Sequence, residues 1–319
     1  MPASHRQYLH VVAAAIVDDS GRVLVARRPD HVHQGGLWEF PGGKLEVGEE
    51  PHTGLCRELD EEVGIRVLRS RPLIRVHHDY GDRAVLLDVW RVDGFAGEAH
   101  GREGQPVLWV RPEDLPRLDM PAANRPIVSA VRLPDRCAIT GPFRDVNELL
   151  ARVDRVLAQG VRLLQLRAPE LSEGRFREVA VQVLERCRSR GARCIVNASP
   201  EWALALRADG VHLNARRLAA LCERPLPAEC LVGASCHDLA ELRQAERIGA
   251  DFAFLSPVRA TASHPGAPAL GWGGFRELAD QVAVPVYALG GVGPDDLPDA
   301  FTAGAQGVAG IRAWWEEHP

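Results

Sequence analysis

Residues 43 to 65 read GKLEVGEEPHTGLCRELDEEVGI, and no other stretch constrains the chain so tightly. Gly43, Glu49, Arg57, Glu58, Leu59, Glu61, Glu62, Gly64 and Ile65 all fall on one spacing, Gly-x5-Glu-x7-Arg-Glu-Leu-x-Glu-Glu-x-Gly-Ile. Pro51 suits the first turn of a helix, where its missing N–H costs nothing. From there to Val63 the apolar residues Leu55, Leu59 and Val63 recur at helical spacing and predict one buried face. Glu58, Glu61 and Glu62 then crowd neighbouring positions of the same helix, where like charges repel. A cation among them removes the conflict. Hard divalent ions take carboxylate oxygens and leave positions for water and phosphate, so Mg2+ is the expected ion and Mn2+ its substitute. A merely solvated acidic face would not also place both glycines, the arginine and the upstream glutamate.

The 319 residues are enough for two domains with proper cores, and 46% hydrophobic with 25% charged residues describe an ordinary globular chain. The net charge of -5 argues against a duplex nucleic-acid binder, which carries a basic footprint. The amino-terminal MPASHRQYLH has no apolar signal core, and no run approaches the roughly 18 apolar residues of a membrane span. Seven scattered cysteines without metal-knuckle spacing predict reduced thiols and a cytoplasmic setting. Lys44 is the only lysine, so lysine chemistry is absent from the second half.

The first segment, residues 1–132, alternates strand signals around the motif helix. VVAAAIV (11–17) and VLVARR (23–28) read as strands, LIRVHHDY (73–80) and VLLDVWRV (85–92) as a hairpin turning at GDR, and VLWVRPEDL (107–115) as a last strand. After the polar join RLPDR (132–136) the rhythm changes. Over 137–319, eight strand runs (CAIT, RLLQLR, RCIVNA, ADGVHL, CLVGAS, DFAFLS, VPVYALGG and QGVAGI) alternate with helical patterns. That predicts a (β/α)8 TIM barrel with short loops, and a doubly wound open sheet is the alternative.

On the motif of residues 43–65 the first segment resembles the Nudix hydrolases. The resemblance implies an α/β/α sandwich with a mixed sheet. ARRPD (26–30), LWEFPGGK (37–44), GREGQP (101–106) and MPAANRPI (120–127) bring it closer, to the MutT branch, which hydrolyses 8-oxo-dGTP to the monophosphate and pyrophosphate. Carried over by position, the Gly42 carbonyl with Glu58, Glu61, Glu62 and Glu103 would hold metal. Arg57 would orient the carboxylates, Arg28 would contact phosphate, and Phe40, Arg83 and Asn124 would surround the base. An amide such as Asn124 offers both a donor and an acceptor to a purine edge. Hydrolysis of another nucleoside diphosphate derivative is the alternative activity. Structural alternatives stand beside these roles: core packing for Phe40, a solvated hairpin tip for Arg83, an exposed loop for Glu103 and a helix cap for Asn124. His33, His77 and His78 read as surface or strand residues, because none has a ligand partner at metal spacing.

The second segment resembles thiamine-phosphate synthase and its TenI-type relatives, through LLQLR (163–167), ADGVHL (208–213), VGASCHD (232–238), GADFAFLSPV (249–258), ALGGV (288–292) and GAQGVAGI (304–311). The resemblance implies a phosphate cradle at Gly290, Gly291 and Gly310. The synthase's metal and lysine positions are not kept: Ala198 follows Asn197, NARR (214–217) follows GVHL, APE (168–170) follows QLR, and a loop lysine is replaced near His264. These losses argue against thiamine-phosphate synthesis. His237 remains where TenI-type thiazole tautomerases carry a histidine, and a proton shuttle with a phosphate anchor is all a tautomerase needs. The barrel is therefore expected to be a thiazole phosphate tautomerase or a binding or scaffold module, with a phosphorylated thiazole or thiamine-like ligand.

Overall fold

The computed structural model describes residues 8–261 and 268–315, so His264 lies outside the described residues. The chain divides into two compact units, Met1–Arg132 and Leu133–Pro319.

The first unit carries strands β1 (Leu9–Ile16), β2 (Val23–Arg27), β3 (Trp38–Glu39), β4 (Gly42–Lys44), β5 (Arg66–Asp79), β6 (Ala84–Ala96) and β7 (Val107–Val110). Its helices are α1 (Pro51–Val63) and α2 (Arg125–Arg132). One sheet has the order β4-β1-β6-β5, with β1 and β6 parallel and the other pairs antiparallel. A smaller antiparallel sheet has the order β3-β2-β7. The run Val12–Ile16 is buried because β1 lies between two neighbours. Its register on β4 (Val12 to Gly43, Ala13 to Gly42) ties the glycine loop to the centre of the sheet.

Helix α1 has Pro51 in its first turn and ends at Gly64. There φ is +71°, and the Gly64 N–H returns to Asp60 O and Leu59 O. Leu55, Leu59 and Val63 are 0% exposed and pack against Val12, Ala14 and Ile16. Each such burial is worth roughly 1.5–3 kcal/mol, so the apolar face anchors the helix and turns its carboxylates outward.

The hairpin is longer than its sequence pattern suggests. β5 begins at Arg66 instead of Leu73, with register shifts around Arg69 and before Ile74. The segment holding Pro72 breaks period-2 alternation, yet it pairs because β5 is an edge strand, where a missing N–H and bulges are tolerated. β3 and β4 are two and three residues long, too short for any periodicity to show.

The second unit closes eight parallel strands into a barrel: β8 (Arg136–Ile139), β9 (Leu163–Leu166), β10 (Arg193–Val196), β11 (Gly210–Leu213), β12 (Leu231–Cys236), β13 (Phe252–Leu255), β14 (Val286–Leu289) and β15 (Gly307–Gly310). β15 pairs back onto β8, which excludes the open sheet. Each of the eight predicted runs contributes one strand. Ile139, Leu163, Ile195, Phe252, Phe254 and Tyr287 fill the barrel interior. All seven cysteines are free thiols. Among the described residues no helix is long and apolar enough to cross a membrane.

Candidate functional site

The outward face of α1 gathers the acidic residues of the motif. Glu62 accepts the Gly42 N–H at 2.7 Å. Glu58 lies against Gly43 so closely that a Cβ there would meet its carboxylate oxygen at 2.1 Å, so any side chain at 43 would displace the carboxylate. Arg57 is bound by Glu49 at 3.0 and 2.8 Å, by Glu58 at 2.9 Å and by Glu61 at 3.2 Å. It also donates to Lys44 O at 3.2 Å, which holds the glycine loop against the helix. The arginine holds the Glu49 carboxyl well down, at about 2.

Glu62 behaves in the opposite way. Burial pushes its carboxyl up to about 7, and the nearby charges of Glu39 and Glu103 add to the rise. Glu103 is exposed in the loop after β6. Its N–H donates to the Gln105 side chain at 2.9 Å, and Gln105 donates on to Glu62 O at 3.0 Å. Gln105 therefore fastens the Glu103 loop to the end of α1. Among the described residues no three acidic, His or Cys side chains already converge as a finished metal cage. The donor set nevertheless fits a hard divalent cation: carboxylates held close together, one buried and destabilised by its neighbours' charge, beside a glycine backbone with no side chain to obstruct it.

The residues expected around a base sit at different depths. Asn124 closes a short 3-10 turn (Ala122–Asn124) before α2 and is 6% exposed. Its side-chain amide makes no hydrogen bond among the described residues, so it caps nothing. Phe40 is 3% exposed and packs in the interior. Arg83 is exposed at the hairpin tip and pairs with Asp82 at 3.3 Å. Arg28 is committed within the fold: it donates to His33 O at 3.1 and 3.0 Å and pairs with Glu39. A phosphate contact would have to draw it from these partners. Tyr80 stands edge-on to His78 at 4.4 Å and to His33 at 5.3 Å. Its hydroxyl interacts with the Ala123 backbone, next to Asn124.

The barrel has its own cavity of about 760 Å³, lined by His237, Gly290, Gly291 and Gly310. His237 Nδ1 lies 2.9 Å from Glu241 Oε2. Beneath it His212 is buried, with Nε2 2.8 Å from Ser235 Oγ and its ring stacked on Phe254. Burial drives the His212 pKa down to about 3, so this imidazole stays neutral.

Nothing in the sequence alone singles out Glu39, Gln105, Tyr80, Gln165, His212 or Ser235. Gln105 lies in GREGQP, but its contact with α1 joins residues 43 apart and has no local signal. His212 sits on an apolar strand, where only the barrel geometry shows that it faces inward.

The NUDIX domain profile matches residues 12–130, and the thiamine monophosphate synthase profile matches 136–314. The 8-oxo-dGTP diphosphatase of Escherichia coli K12 is 34% identical over 124 residues, 39% of this chain and 96% of that protein. The CTP pyrophosphohydrolase of the same organism is 35% identical over 119 residues, 37% of this chain and 88% of that one. The thiamine-phosphate synthase of Synechococcus sp. WH7803 is 36% identical over 180 residues, 56% of this chain. The chain spans about half of that synthase, 51% of its length.

Proposed function

We propose, for a chain that belongs to the NUDIX domain family over residues 12–130 and to the thiamine monophosphate synthase family over residues 136–314, that its Nudix hydrolase domain cleaves 8-oxo-dGTP to 8-oxo-dGMP and pyrophosphate. The observation that carries this reading is the carboxylate cluster of α1 packed on the Gly42–Gly43 loop. Mg2+, with Mn2+ as substitute, would be held by Glu58, Glu61, Glu62, Glu103 and the Gly42 carbonyl, and would supply charge neutralisation and water activation. A carboxylate of the cluster takes the proton of the attacking water, while Arg57 holds Glu49, Glu58 and Glu61 in place. The buried, uncommitted amide of Asn124 supports recognition of an altered purine edge. The relatives leave the base open, since one is named for 8-oxo-dGTP and another for CTP.

Product analysis tests the reaction type: a nucleoside monophosphate and pyrophosphate are expected, and a diphosphate with orthophosphate would refute it. Arg57→Ala is expected to weaken Mg2+ affinity by about 10–100-fold, read as a higher Mg2+ concentration for half-maximal activity. An unchanged Mg2+ curve would remove Arg57 from the positioning role.

For the barrel we infer that thiamine-phosphate synthesis is absent, because Ala198 and the NARR stretch supply no acidic metal ligands. The His237–Glu241 pair at the cavity supports proton transfer on a phosphorylated thiazole. His237→Ala should then lower tautomerisation by about 10²–10⁴-fold without affecting nucleotide hydrolysis. Undiminished tautomerisation would leave the barrel as a binding module.

A further inference from the structure

Helix α1 carries a second pair of metal-ligating side chains away from its carboxylates. His52 and Cys56 stand four residues apart, so they lie one above the other on a single face. Cys56 and Glu58 are two residues apart, roughly 200° around the helix, so this face and the acidic one point in different directions. The Cys56 Sγ lies 4.0 Å from His52 Nδ1.

The imidazole is held from its other side. His52 Nε2 lies 3.0 Å from Ser70 Oγ on β5, and the ring lies against Trp90 of β6 with centroids 5.2 Å apart. When Nε2–H donates to the serine hydroxyl, Nδ1 keeps a lone pair on the side of the sulfur. His52 is exposed and Cys56 half-buried, so solvent reaches the gap between them. Cys137, Cys187, Cys194 and Cys236, by contrast, are 0% exposed and closed to an ion arriving from solvent.

Distances decide what fits. A zinc ion takes thiolate sulfur at about 2.3 Å and imidazole nitrogen at about 2.0–2.1 Å. Those two bonds together exceed the 4.0 Å gap, so an ion between the atoms reaches both. A tetrahedral angle at the ion requires the gap to close by roughly 0.5 Å, which side-chain torsions supply without moving the backbone. Among the described residues no third His, Cys, Asp or Glu joins the pair, so water completes the coordination. Thiolate and imidazole donors select soft d10 ions, whereas carboxylates select Mg2+.

We propose that His52 Nδ1 and Cys56 Sγ form a binding site for one soft divalent cation, of which Zn2+ is the type, on a different face of α1 from the carboxylates. The thiol releases its proton to solvent as the sulfur–metal bond forms, and no electron is transferred. Ser70 and Trp90 hold the imidazole ready for the ion. The site does not depend on the hydrolase reading, since neither donor takes part in it. It gives one helix two faces of opposite metal preference, hard carboxylate oxygen and soft sulfur with nitrogen.

The test titrates the reduced, metal-free full chain with Co2+, which reports thiolate ligation through a near-ultraviolet charge-transfer band that carboxylate sites do not give. The band should saturate at one Co2+ per chain; Zn2+ should bleach it and excess Mg2+ should not. Cys56→Ser should abolish the band. His52→Ala should weaken Co2+ affinity at least about tenfold, and His52→Gln, which keeps a polar group beside Ser70, should weaken it equally. Cys222→Ser, at the exposed cysteine, should leave band and affinity unchanged. Metal-free melting curves of these variants should match the parent. No band, a band kept in Cys56→Ser, unchanged affinity in both His52 variants, a band lost in Cys222→Ser or one bleached by Mg2+ would overturn the proposal.

Discussion

Glu62→Gln is expected to lower kcat for nucleotide hydrolysis by about 10²–10³-fold. Glu62 is the most enclosed carboxylate of the cluster, tied to the Gly42 N–H at 2.7 Å and raised by the charges of Glu39 and Glu103. Glutamine keeps the shape and can still accept that N–H, but it removes one negative charge from the set that faces the cation. The fold should not suffer, because a buried carboxylate without a counter-ion costs free energy that the amide does not. The melting temperature in metal-free buffer should therefore stay level or rise while activity collapses. Glu61 gives a useful comparison. It is exposed and touches Arg57 at 3.2 Å, so Glu61→Gln should also lose activity, through charge and through the arginine it helps hold. Full activity in both variants would remove α1 from the chemistry.

Asn124→Ala is expected to cut the preference for 8-oxo-dGTP over dGTP by about 10²-fold or more. A site that pairs with a particular base edge rejects the analogue lacking it, because buried polar groups are then left unpaired. Asn124 has the right standing for this: it is 6% exposed and its amide is committed to nothing in the fold. For the same reason its loss should barely alter stability, which separates specificity from folding. Asn124→Asp keeps an acceptor, loses the donor and adds a charge, so it should lose the preference as well. A ratio unchanged in both variants would move base reading elsewhere, with Tyr80 beside Ala123 the nearest candidate.

Much of this was legible in the chain, and the reason differs by region. The α1 register was readable because Pro51, the 55-59-63 apolar stripe and Gly64 each act within a few residues. The eight barrel strands were readable because parallel strands buried on both faces are short, continuous apolar runs. The first half of β5 was not, because an edge strand with Pro72 and bulges needs neither alternation nor regular register. At the site, Arg57 is bonded to Glu49, Glu58 and Glu61, all within one local motif, whereas nothing local in the sequence signals that Arg28 is held by Glu39 and His33. That pairing depends on how the loop before β3 folds back, which is a tertiary matter. In the barrel, the loss of acidic positions could be read from Ala198 and NARR. That Arg167, Arg216 and Arg312 line one cavity could not, since it depends on residues as far apart in the chain as Arg167 and Arg312 meeting at one end of a closed ring.

We propose that the acidic face of α1 and the Asn124 amide together make an oxidised-purine diphosphatase. The most direct test is a nucleotide panel with pyrophosphate detection, run on the purified full chain with Mg2+ and including 8-oxo-dGTP, dGTP and CTP. A kcat/KM for 8-oxo-dGTP at least about 100-fold above that for dGTP or CTP is the predicted result, with pyrophosphate as the released product. Equal values for 8-oxo-dGTP and dGTP, or a higher value for CTP, would contradict it.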